Sequence, residues 1–298
     1  MLSSSDIEFY HENGYILVED VVDPALLAEM NKVTSEFIEA SREITESDDV
    51  FDLDEGHSRE TPKLTRIKLP TKRHPVFARG LRESRVPEVL RDLLGENVAL
   101  QTSKLNTKAP GGGAAVEWHQ DWAFYPYSND SLLACGLMLE DVGQDNGPLM
   151  VIPGTHKGPV LSHHNSRGEF CGAIDPDDPL FDMDKAVTLT GRAGSMTVHH
   201  VRILHGSAPN MSDRARRILF YECHAADAWP LLGSGSYIQS QGPKMLWDDY
   251  LERMIIGQPS LEPRTETVPI RLPLPPAPVG GSIFKTQKSG GARSAFAT

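Results

Sequence analysis

Polar and apolar positions divide the chain into a helical part and a strand-rich part. In the first part, Asp23 followed by Pro24 is typical of a helix start, because aspartate caps free amide groups and proline suits the first turn. Apolar residues then recur at helical spacing over Leu26–Ile38. The segment Pro87–Leu94, which ends before a glycine, predicts another helix. Residues 44–60 are acidic and without periodicity, and they predict a loop.

Short strand-like runs begin near residue 97 and continue to about residue 224. Glycine- and proline-containing turns, such as those at 111–113 and 146–148, separate the runs. Many short strands of this kind predict a sandwich or barrel, which makes the fold mainly β with flanking helices. Together with one earlier strand, the predicted strands are Tyr15–Val18, Val98–Thr107, Val116–Trp122, Leu132–Glu140, Leu149–Ile152, Ala186–Leu189, Ser195–His199 and Arg217–Cys223.

These patterns predict a single domain over residues 1–260, followed by a tail. The proline-rich RLPLPPAPVGG and the Gly/Ser-rich end indicate an extended arm and a flexible tail. Because loops carry specificity, residues 44–60 and 225–256 are the expected lids. The predicted parts are a helical part at about 1–96, a barrel core at about 97–224, a lid with a last helix (243–256) at about 225–260, and the arm and tail at 261–298.

Composition narrows the class of protein. Hydrophobic residues make up 39% and charged residues 23% of the chain, which excludes wholesale disorder, collagen and coiled coil. The net charge of −12 gives no basic footprint for nucleic acid or an anionic membrane. The longest apolar run, about Leu132–Leu139, is too short to span a bilayer. Three dispersed cysteines and a first segment without signal-peptide features lead us to expect a cytoplasmic protein.

The sequence His119-Gln120-Asp121 is the first candidate for chemistry. In a strand, residues i and i+2 point the same way, so His119 and Asp121 would project together and Gln120 would be opposed. With one more histidine, they would form a 2-His-1-carboxylate triad, which leaves positions open and is usual in non-haem Fe(II) oxygenases. The alternative for such a short motif is a surface strand with two polar side chains.

The third ligand is expected from a distant strand, and His205 is the best candidate there. After it, Gly206 allows a close backbone approach and a Pro-Asn turn returns the chain to a strand that carries Arg216. Since arginine binds carboxylates through two parallel hydrogen bonds, this pair indicates an acidic co-substrate at the metal. His199 and His200 are interpreted as residues that line the cavity wall or support the metal ligands from behind, or as packing residues.

Two basic groups could line the same cavity. Lys104, Asn106 and Lys108 share one strand face, which is either solvated or lines a polar cavity. The glycine-rich turn at 111–113 returns this strand to the His119 strand and favours the cavity. A second group could meet the phosphate or carboxylate of an acyl-CoA, but a solvated basic face is the more common explanation. It consists of Lys63, Arg66, Lys68, Lys72 and Arg73.

Longer motifs show a family resemblance. The stretch WHQDWAFYPYSNDSLLACGLMLEDVGQDNGPLMVIPGTHKG at 118–158, with LHGSAPNMSDRARR at 204–217, resembles the phytanoyl-CoA dioxygenase family. These are Fe(II)- and 2-oxoglutarate-dependent oxygenases that include ectoine hydroxylase. The similarity extends from about residue 6 to 230. It implies a double-stranded β-helix, a cupin-like jelly-roll barrel, with the metal inside its mouth.

The resemblance also implies roles for individual residues. His119, Asp121 and His205 match the iron ligands. The residues that match the 2-oxoglutarate site are Arg216, eleven residues after the distal histidine, together with Ser207, Lys108 and Asn106. Trp122 and Phe124 follow the metal strand and could line a substrate pocket or belong to the core. Leu137 occupies the position at which phytanoyl-CoA hydroxylase has a tryptophan, which departs from that enzyme's pattern.

The resulting prediction is a dioxygenase that uses Fe(II), 2-oxoglutarate and O₂. It would hydroxylate an unactivated C–H bond of a small hydrophobic or amphipathic metabolite and release succinate and CO₂. An acyl-CoA 2-hydroxylase of the phytanoyl-CoA type is one alternative. A zinc hydrolase would not need Lys108, Ser207 and Arg216, and a non-catalytic barrel would not need a complete triad. A halogenase is disfavoured, since those relatives lack the carboxylate that Asp121 supplies.

Overall fold

Most helices lie before residue 95, and most strands follow it. The structure is a computed structural model that describes residues 1–232, 243–276 and 282–296. Within these residues, the helices are α1 (Ser4–Asn13), α2 (Pro24–Ala40), α3 (Pro70–Arg73), α4 (Pro75–Arg82), α5 (Val86–Leu94), α6 (Pro243–Arg253) and α7 (Ile283–Ser289). The strands are β1 (Tyr15–Val18), β2 (Phe51–Leu53), β3 (Leu64–Lys68), β4 (Val98–Lys108), β5 (Val116–His119), β6 (Leu132–Met138), β7 (Leu149–Val151), β8 (Val187–Leu189), β9 (Met196–His200), β10 (His205–Ser207), β11 (Arg216–Ala225) and β12 (Met254–Ile256).

The strands form two antiparallel sheets. The larger sheet has the order β1-β9-β6-β11-β4-β3-β2, and β12 also pairs with β4. The smaller sheet has the order β5-β10-β7-β8. Side chains from both sheets line one cavity, so the sheets face each other across it. This arrangement agrees with the predicted barrel and places the cavity in its interior.

The central strands of the large sheet have one face toward the helices and one toward the cavity. In β6, Leu133, Cys135 and Leu137 belong to the main core cluster, which they share with residues of α2, α4 and α5. The alternate residues Ala134 and Met138 belong to a separate cluster inside the barrel. This alternation follows from the two-residue period of a strand. The helices therefore cover the outer face and leave the inner face for chemistry.

The caps of the first helices follow the sequence signals. Asp23 accepts hydrogen bonds from two backbone amides of α2, with Pro24 in its first turn, as predicted. Helix α1 ends at Gly14, whose φ of 80° is left-handed. A Cβ at Gly14 would lie 2.4 Å from Nδ1 of His156, so both the conformation and the close contact require glycine here.

Three segments differ from the sequence expectations. The acidic loop at 44–60 contains β2, which pairs with β3 at the edge of the large sheet. The predicted last helix ends at Arg253, and β12 follows it. Residues 283–289, expected in a flexible tail, form α7 and pack against β5 through Gln287. Residues 233–242 of the predicted lid, and 277–281 and 297–298 of the predicted arm and tail, lie outside the described residues.

Two further observations concern the cysteines and the hydrophobicity of the helices. Cys135, Cys171 and Cys223 are all buried and free. In the portion of the chain that the structure describes, no helix is both long and apolar enough to cross a membrane.

Candidate active site

Two histidines and one aspartate converge inside the barrel. His119 ends β5, His205 begins β10, and these two residues are paired across the small sheet. Asp121 starts a short 3-10 turn directly after β5. Its Oδ1 lies 3.6 Å from Nε2 of His119, and its Oδ2 lies 3.8 Å from Nε2 of His205. One ligand atom of each residue lies within 4.8 Å of the other two, so the three could bind one metal ion.

Backbone contacts fix the two histidine rings. Nδ1 of His119 lies 2.7 Å from the carbonyl oxygen of Glu117, and Nδ1 of His205 lies 3.0 Å from that of Ile203. A carbonyl can only accept, so each Nδ1 carries the proton and each Nε2 presents a lone pair to the cluster. Such contacts are typical of the groups behind metal-ligating histidines.

Gln120 lies between β5 and the 3-10 turn, and its extended backbone turns its side chain away from those of its two neighbours. The predicted strand Val116–Trp122 is therefore shorter than expected and ends at His119. The Gln120 side chain donates to the carbonyl oxygens of Pro159 and Arg202 and accepts from the backbone amide of Leu161. These contacts fix the residue between the two candidate ligands. The extended backbone at Gln120 and its buried hydrogen bonds therefore hold His119 and Asp121 together.

Electrostatics favour the ligand forms of these groups. Burial disfavours the Asp121 carboxylate, but Lys104 and the neighbouring histidines outweigh it and hold its pKa well below the usual range. Burial and the neighbouring His119 lower the pKa of His205 well below its usual value. A charged carboxylate and a neutral imidazole are the forms that bind metals, so two nitrogens and one oxygen fit a divalent iron ion.

Two buried cations lie deeper in the same cavity. Arg216 on β11 is paired with Lys108 on β4, and both side chains are almost completely buried. Arg216 donates from Nε and Nη2 to the carbonyl oxygen of Gly147, over 3.0 and 2.7 Å. Lys108 donates to the carbonyl oxygens of Ser207 and Ala208. In the described residues, no carboxylate lies within ion-pair distance of either cation.

The pKa values of both cations are lowered, as expected for buried cations without an acidic partner among the described residues. Burial lowers the pKa of Arg216 to about 9. Burial, and then the Arg216 charge, lower the pKa of Lys108 well below its usual value. Two unpaired cations in a buried site stabilise a bound anion. Ser207 and Asn106, the other residues predicted here, line the same cavity.

Gly147 is required by this arrangement. Its φ is 76°, and a Cβ would lie 2.7 Å from the carbonyl oxygen of Ala208 and 2.8 Å from Cδ of Lys108. The glycine therefore lets the backbone pass directly over the lysine and present its carbonyl oxygen to Arg216.

The cavity has an inner and an outer part. The inner part contains the triad, the two buried cations and Asn106. The outer part shares Arg66, Lys104, Asp121 and Ile283 with it. The remaining residues that line the outer part are Asp49, Lys68, Leu69, Gln101, Thr102, Ser103, Phe124, Tyr125, Glu222 and Ser282.

The structure brings only one of the three predicted pocket residues to the cavity. Phe124 lines the outer part, and its ring centroid is 5.9 Å from that of His119. Trp122 is fully buried in a separate cluster, and its Nε1 donates to the carbonyl oxygen of Pro269. Leu137 belongs to the core between the large sheet and the helices, so its side chain is on the face of β6 away from the cavity. Ala134 lines the cavity from that strand instead.

Sequence reasoning missed several lining residues. Arg66 belongs to the basic group for which a solvated face was the more common explanation and an anion site the alternative, and it lines both parts of the cavity. Phe220 and Glu222 lie on the same inner face of β11 as Arg216. The two-residue period of that strand could have revealed this pattern. Ile283 and Phe284 come from α7, for which the sequence carried no local signal.

The barrel with its two histidines, one aspartate and buried cation pair defines a non-haem Fe(II)- and 2-oxoglutarate-dependent oxygenase. Comparison with known proteins supports this class: the sequence model of the family described as phytanoyl-CoA dioxygenase matches residues 10–218. The chain belongs to the phytanoyl-CoA dioxygenase family, and the predicted jelly-roll class is confirmed.

Named relatives share this chemistry. A probable alpha-ketoglutarate-dependent hypophosphite dioxygenase from Stutzerimonas stutzeri is 35% identical over 94% of this chain and 95% of its own length. The ectoine dioxygenase of Bordetella bronchiseptica is 26% identical over 74% of each chain. The peroxisomal phytanoyl-CoA dioxygenase of Rattus norvegicus is 26% identical over 75% of this chain and 68% of that protein.

Solved structures show the same fold. The crystal structure of EctD from S. alaskensis with 2-oxoglutarate and 5-hydroxyectoine has a TM-score of 0.60 and 25% identity, and covers 76% of this chain and 77% of that one. The non-haem alpha-ketoglutarate-dependent carbocyclase SnoK from nogalamycin biosynthesis has a TM-score of 0.62 and 22% identity, and covers 90% and 96%.

Proposed function

We propose that this oxygenase hydroxylates a small anionic substrate, with hypophosphite as the first candidate. In this proposal, His119, Asp121 and His205 hold Fe(II), and Lys108 and Arg216 hold 2-oxoglutarate. Bound iron would supply the activation of O₂, so that 2-oxoglutarate is oxidised to succinate and CO₂ and one oxygen atom reaches the substrate. With hypophosphite, a P–H bond is replaced by P–OH, and the product is phosphite.

The buried cation pair supports the co-substrate assignment. A dicarboxylate that enters the inner cavity can place one carboxylate against Lys108 and Arg216, which have no acidic partner among the described side chains. Arginine adds the orientation of a planar fork, and lysine adds a point charge. The keto acid end of the molecule then extends toward the triad, which lines the same cavity.

The guanidinium of Arg66 carries the substrate proposal. Its Nε donates to Oδ1 of Asn106 over 2.9 Å, and its buried Nη2 has no hydrogen-bond partner among the described residues. The ring of Phe284 lies 5.4 Å from its central carbon and covers one face. No carboxylate of the described chain forms an ion pair with it. An oxyanion would supply the missing acceptor and charge.

Other polar atoms around Arg66 support the same substrate class. Oγ of Ser282 is buried without a hydrogen-bond partner among the described residues, and its hydroxyl can donate to an oxyanion. Lys104 forms an ion pair with Glu222 beside the outer cavity. A hydrophobic metabolite would leave the unpaired donors of Arg66 and Ser282 unsatisfied at about 1–3 kcal/mol each, although the sequence analysis favours a hydrophobic or amphipathic substrate. A small polar anion would satisfy them.

Relatives supply the specific candidate. The Stutzerimonas stutzeri protein is named a probable hypophosphite dioxygenase, and it matches this chain almost from end to end. Hypophosphite is a small oxyanion of the class that Arg66 can bind.

The free and buried state of all three cysteines supports the cytoplasmic location that the sequence predicts.

A succinate-release screen tests the substrate class. The enzyme would be loaded with Fe(II) and 2-oxoglutarate and exposed to O₂ with hypophosphite, small carboxylates, ectoine, a neutral apolar compound or an acyl-CoA. We expect hypophosphite to raise succinate release above the substrate-free rate, with phosphite detected by ³¹P NMR. Stimulation by the apolar compound or the acyl-CoA, and by none of the small anions, would contradict the proposal.

A matched pair of variants tests the role of Arg66. The loss of a charge-assisted bond of roughly 1.5–3 kcal/mol in Arg66→Met should raise the substrate KM by about tenfold or more. The affinity for 2-oxoglutarate should be preserved, because Lys108 and Arg216 are intact. Arg73→Met is the control, since Arg73 belongs to the same basic stretch but pairs with Asp49. An equal effect of the two substitutions would remove the support for Arg66 as the substrate ligand.

A further inference from the structure

His199 lies against the candidate metal ligands but is not fixed as they are. Its side chain is 1% exposed, lines the inner cavity, and has its ring centroid 4.4 Å from that of His205. Its Nε2 is 3.5 Å from Oδ2 of Asp121. A buried histidine in this position needs a physical explanation, because packing alone would be better served by an apolar ring.

The hydrogen bonds of the three histidines separate their roles. His119 and His205 each contact a backbone carbonyl through Nδ1, which leaves Nε2 for a metal. Neither nitrogen of His199 has a hydrogen-bond partner among the described residues. The next residue, His200, accepts from the backbone amide of Arg202 through Nδ1, and its ring lies beside that of His156. His199 therefore lacks the backbone contact that fixes the ring of each candidate ligand, although its Nε2 lies near the carboxylate of Asp121.

We propose that His199 is a positioning residue that donates from Nε2 to Oδ2 of Asp121. This inference rests on the proposed ligand set. The hydrogen bond would engage one carboxylate oxygen and leave Oδ1, which lies beside His119, for the metal. Asp121 would then bind through one oxygen only. A carboxylate that bound through both would occupy a position that the chemistry needs for 2-oxoglutarate or O₂.

The strand pattern explains how His199 reaches this place. Residues Met196 and Val198 of β9 belong to the core between the sheet and the helices. The alternate residues Thr197 and His199 therefore face the barrel interior. Phe220, from the second neighbouring strand of the sheet, has its ring 6.3 Å from that of His199 and limits its movement.

Metal affinity, measured without turnover, tests the inference. Co(II) would be titrated anaerobically into apo enzyme against a competing chelator. His199→Phe keeps a ring but removes the donor, and we expect its affinity to be lower by about 10- to 100-fold, the usual effect of a group behind a metal ligand. His199→Gln, whose amide can donate near the same place, should recover most of the affinity. Apo thermal unfolding should change little, since in the metal-free site neither nitrogen of His199 makes a hydrogen bond to a described residue, and the proposed bond to Asp121 forms when the metal is bound.

Control variants separate the possible failures. His200→Phe changes the adjacent histidine and should bind Co(II) as the unmodified enzyme does. His205→Ala should abolish binding; if it does not, the proposed ligand set is wrong and the inference fails with it. If His205→Ala abolishes binding but His199→Phe binds normally, only the inference is overturned. If His199→Phe also loses binding completely and His199→Gln does not recover it, His199 is a ligand itself and the positioning role is refuted.

Discussion

Replacing Arg216 by alanine separates binding of the co-substrate from binding of the metal. Arg216 is 3% exposed and lies beside Lys108 across the β11–β4 pair. It is no ligand candidate, because a guanidinium keeps its proton at neutral pH and has no lone pair to offer. Arg216→Ala should therefore weaken 2-oxoglutarate binding and leave Fe(II) affinity nearly unchanged.

The magnitude follows from the two cations. A charge-assisted hydrogen bond contributes roughly 1.5–3 kcal/mol, which is about 10- to 150-fold in affinity. Lys108 remains in Arg216→Ala, and the loss of the neighbouring charge raises the pKa of Lys108, so that it holds its proton more firmly. We therefore expect a loss near the lower end, about 10- to 30-fold. Arg216→Lys restores the charge without the planar fork and should recover only part of it.

Titration with 2-oxoglutarate, followed through the charge-transfer absorbance of its Fe(II) chelate, measures the effect directly. Arg217→Ala is the matched control, because Arg217 is the next residue on β11 and donates to Ser35 outside the cavity. A loss of affinity in Arg217→Ala with none in Arg216→Ala would refute the assigned strand face. A parallel loss of Fe(II) affinity in Arg216→Ala would refute the separation of the two sites.

Four further predictions use the same assays. Burial lowers the pKa of Arg216 to about 9 and that of Lys108 well below its usual value in the empty site, and only the protonated forms pair with a carboxylate, so 2-oxoglutarate affinity should fall as pH rises, at the latest above about 9; a flat profile to pH 10 would contradict this. His205→Ala should abolish succinate formation. If His205→Ala is instead active and His200→Ala is inactive, the wrong histidine was chosen as the ligand. Asp121→Gly should lose hydroxylation and allow chloride near the metal, and normal hydroxylation would exclude Asp121 as a ligand. Phe284→Ala should open the cavity and lower the ratio of product to succinate, measured by NMR; an unchanged ratio would contradict this.

The candidate site could be predicted in large part because its geometry is local. The two-residue period of a strand is enough to place His119 beside Asp121, and the turn after His205 is enough to return Arg216 to the cavity. The same period explains the outcome at Leu137. A shift of one residue exchanges the two faces of β6, and the motif alignment did not determine which face is inward. Ala134 lines the cavity and Leu137 lies under the helices.

Helix α7 could not be predicted because its order comes from distant contacts. It has seven residues between glycine-rich segments, which is too short for a stable isolated helix. Gln287 fixes it by accepting from the backbone amide of Glu117 and donating to the carbonyl oxygens of Glu117 and Gly172. Lys285 adds an ion pair with the buried Asp52 on β2. The loop strand and the tail helix thus stabilise each other across the mouth of the cavity.

The charge of the whole chain and the charge of its cavity have opposite signs. The chain carries −12, from which the sequence analysis argued against nucleic acid and an anionic membrane as partners. Among the described residues, however, the inner cavity is lined by four cations, of which Lys104 pairs with Glu222, and by one carboxylate, that of Asp121. A divalent metal makes the net charge of this interior more positive. The two negative charges of 2-oxoglutarate then only return the net charge to its value before the metal is bound. Low dielectric inside the barrel strengthens that potential relative to the acidic surface. A neutral substrate would leave the excess positive charge buried, whereas an oxyanion at Arg66 reduces it, so the electrostatics of the interior favour an anion as the last component to bind.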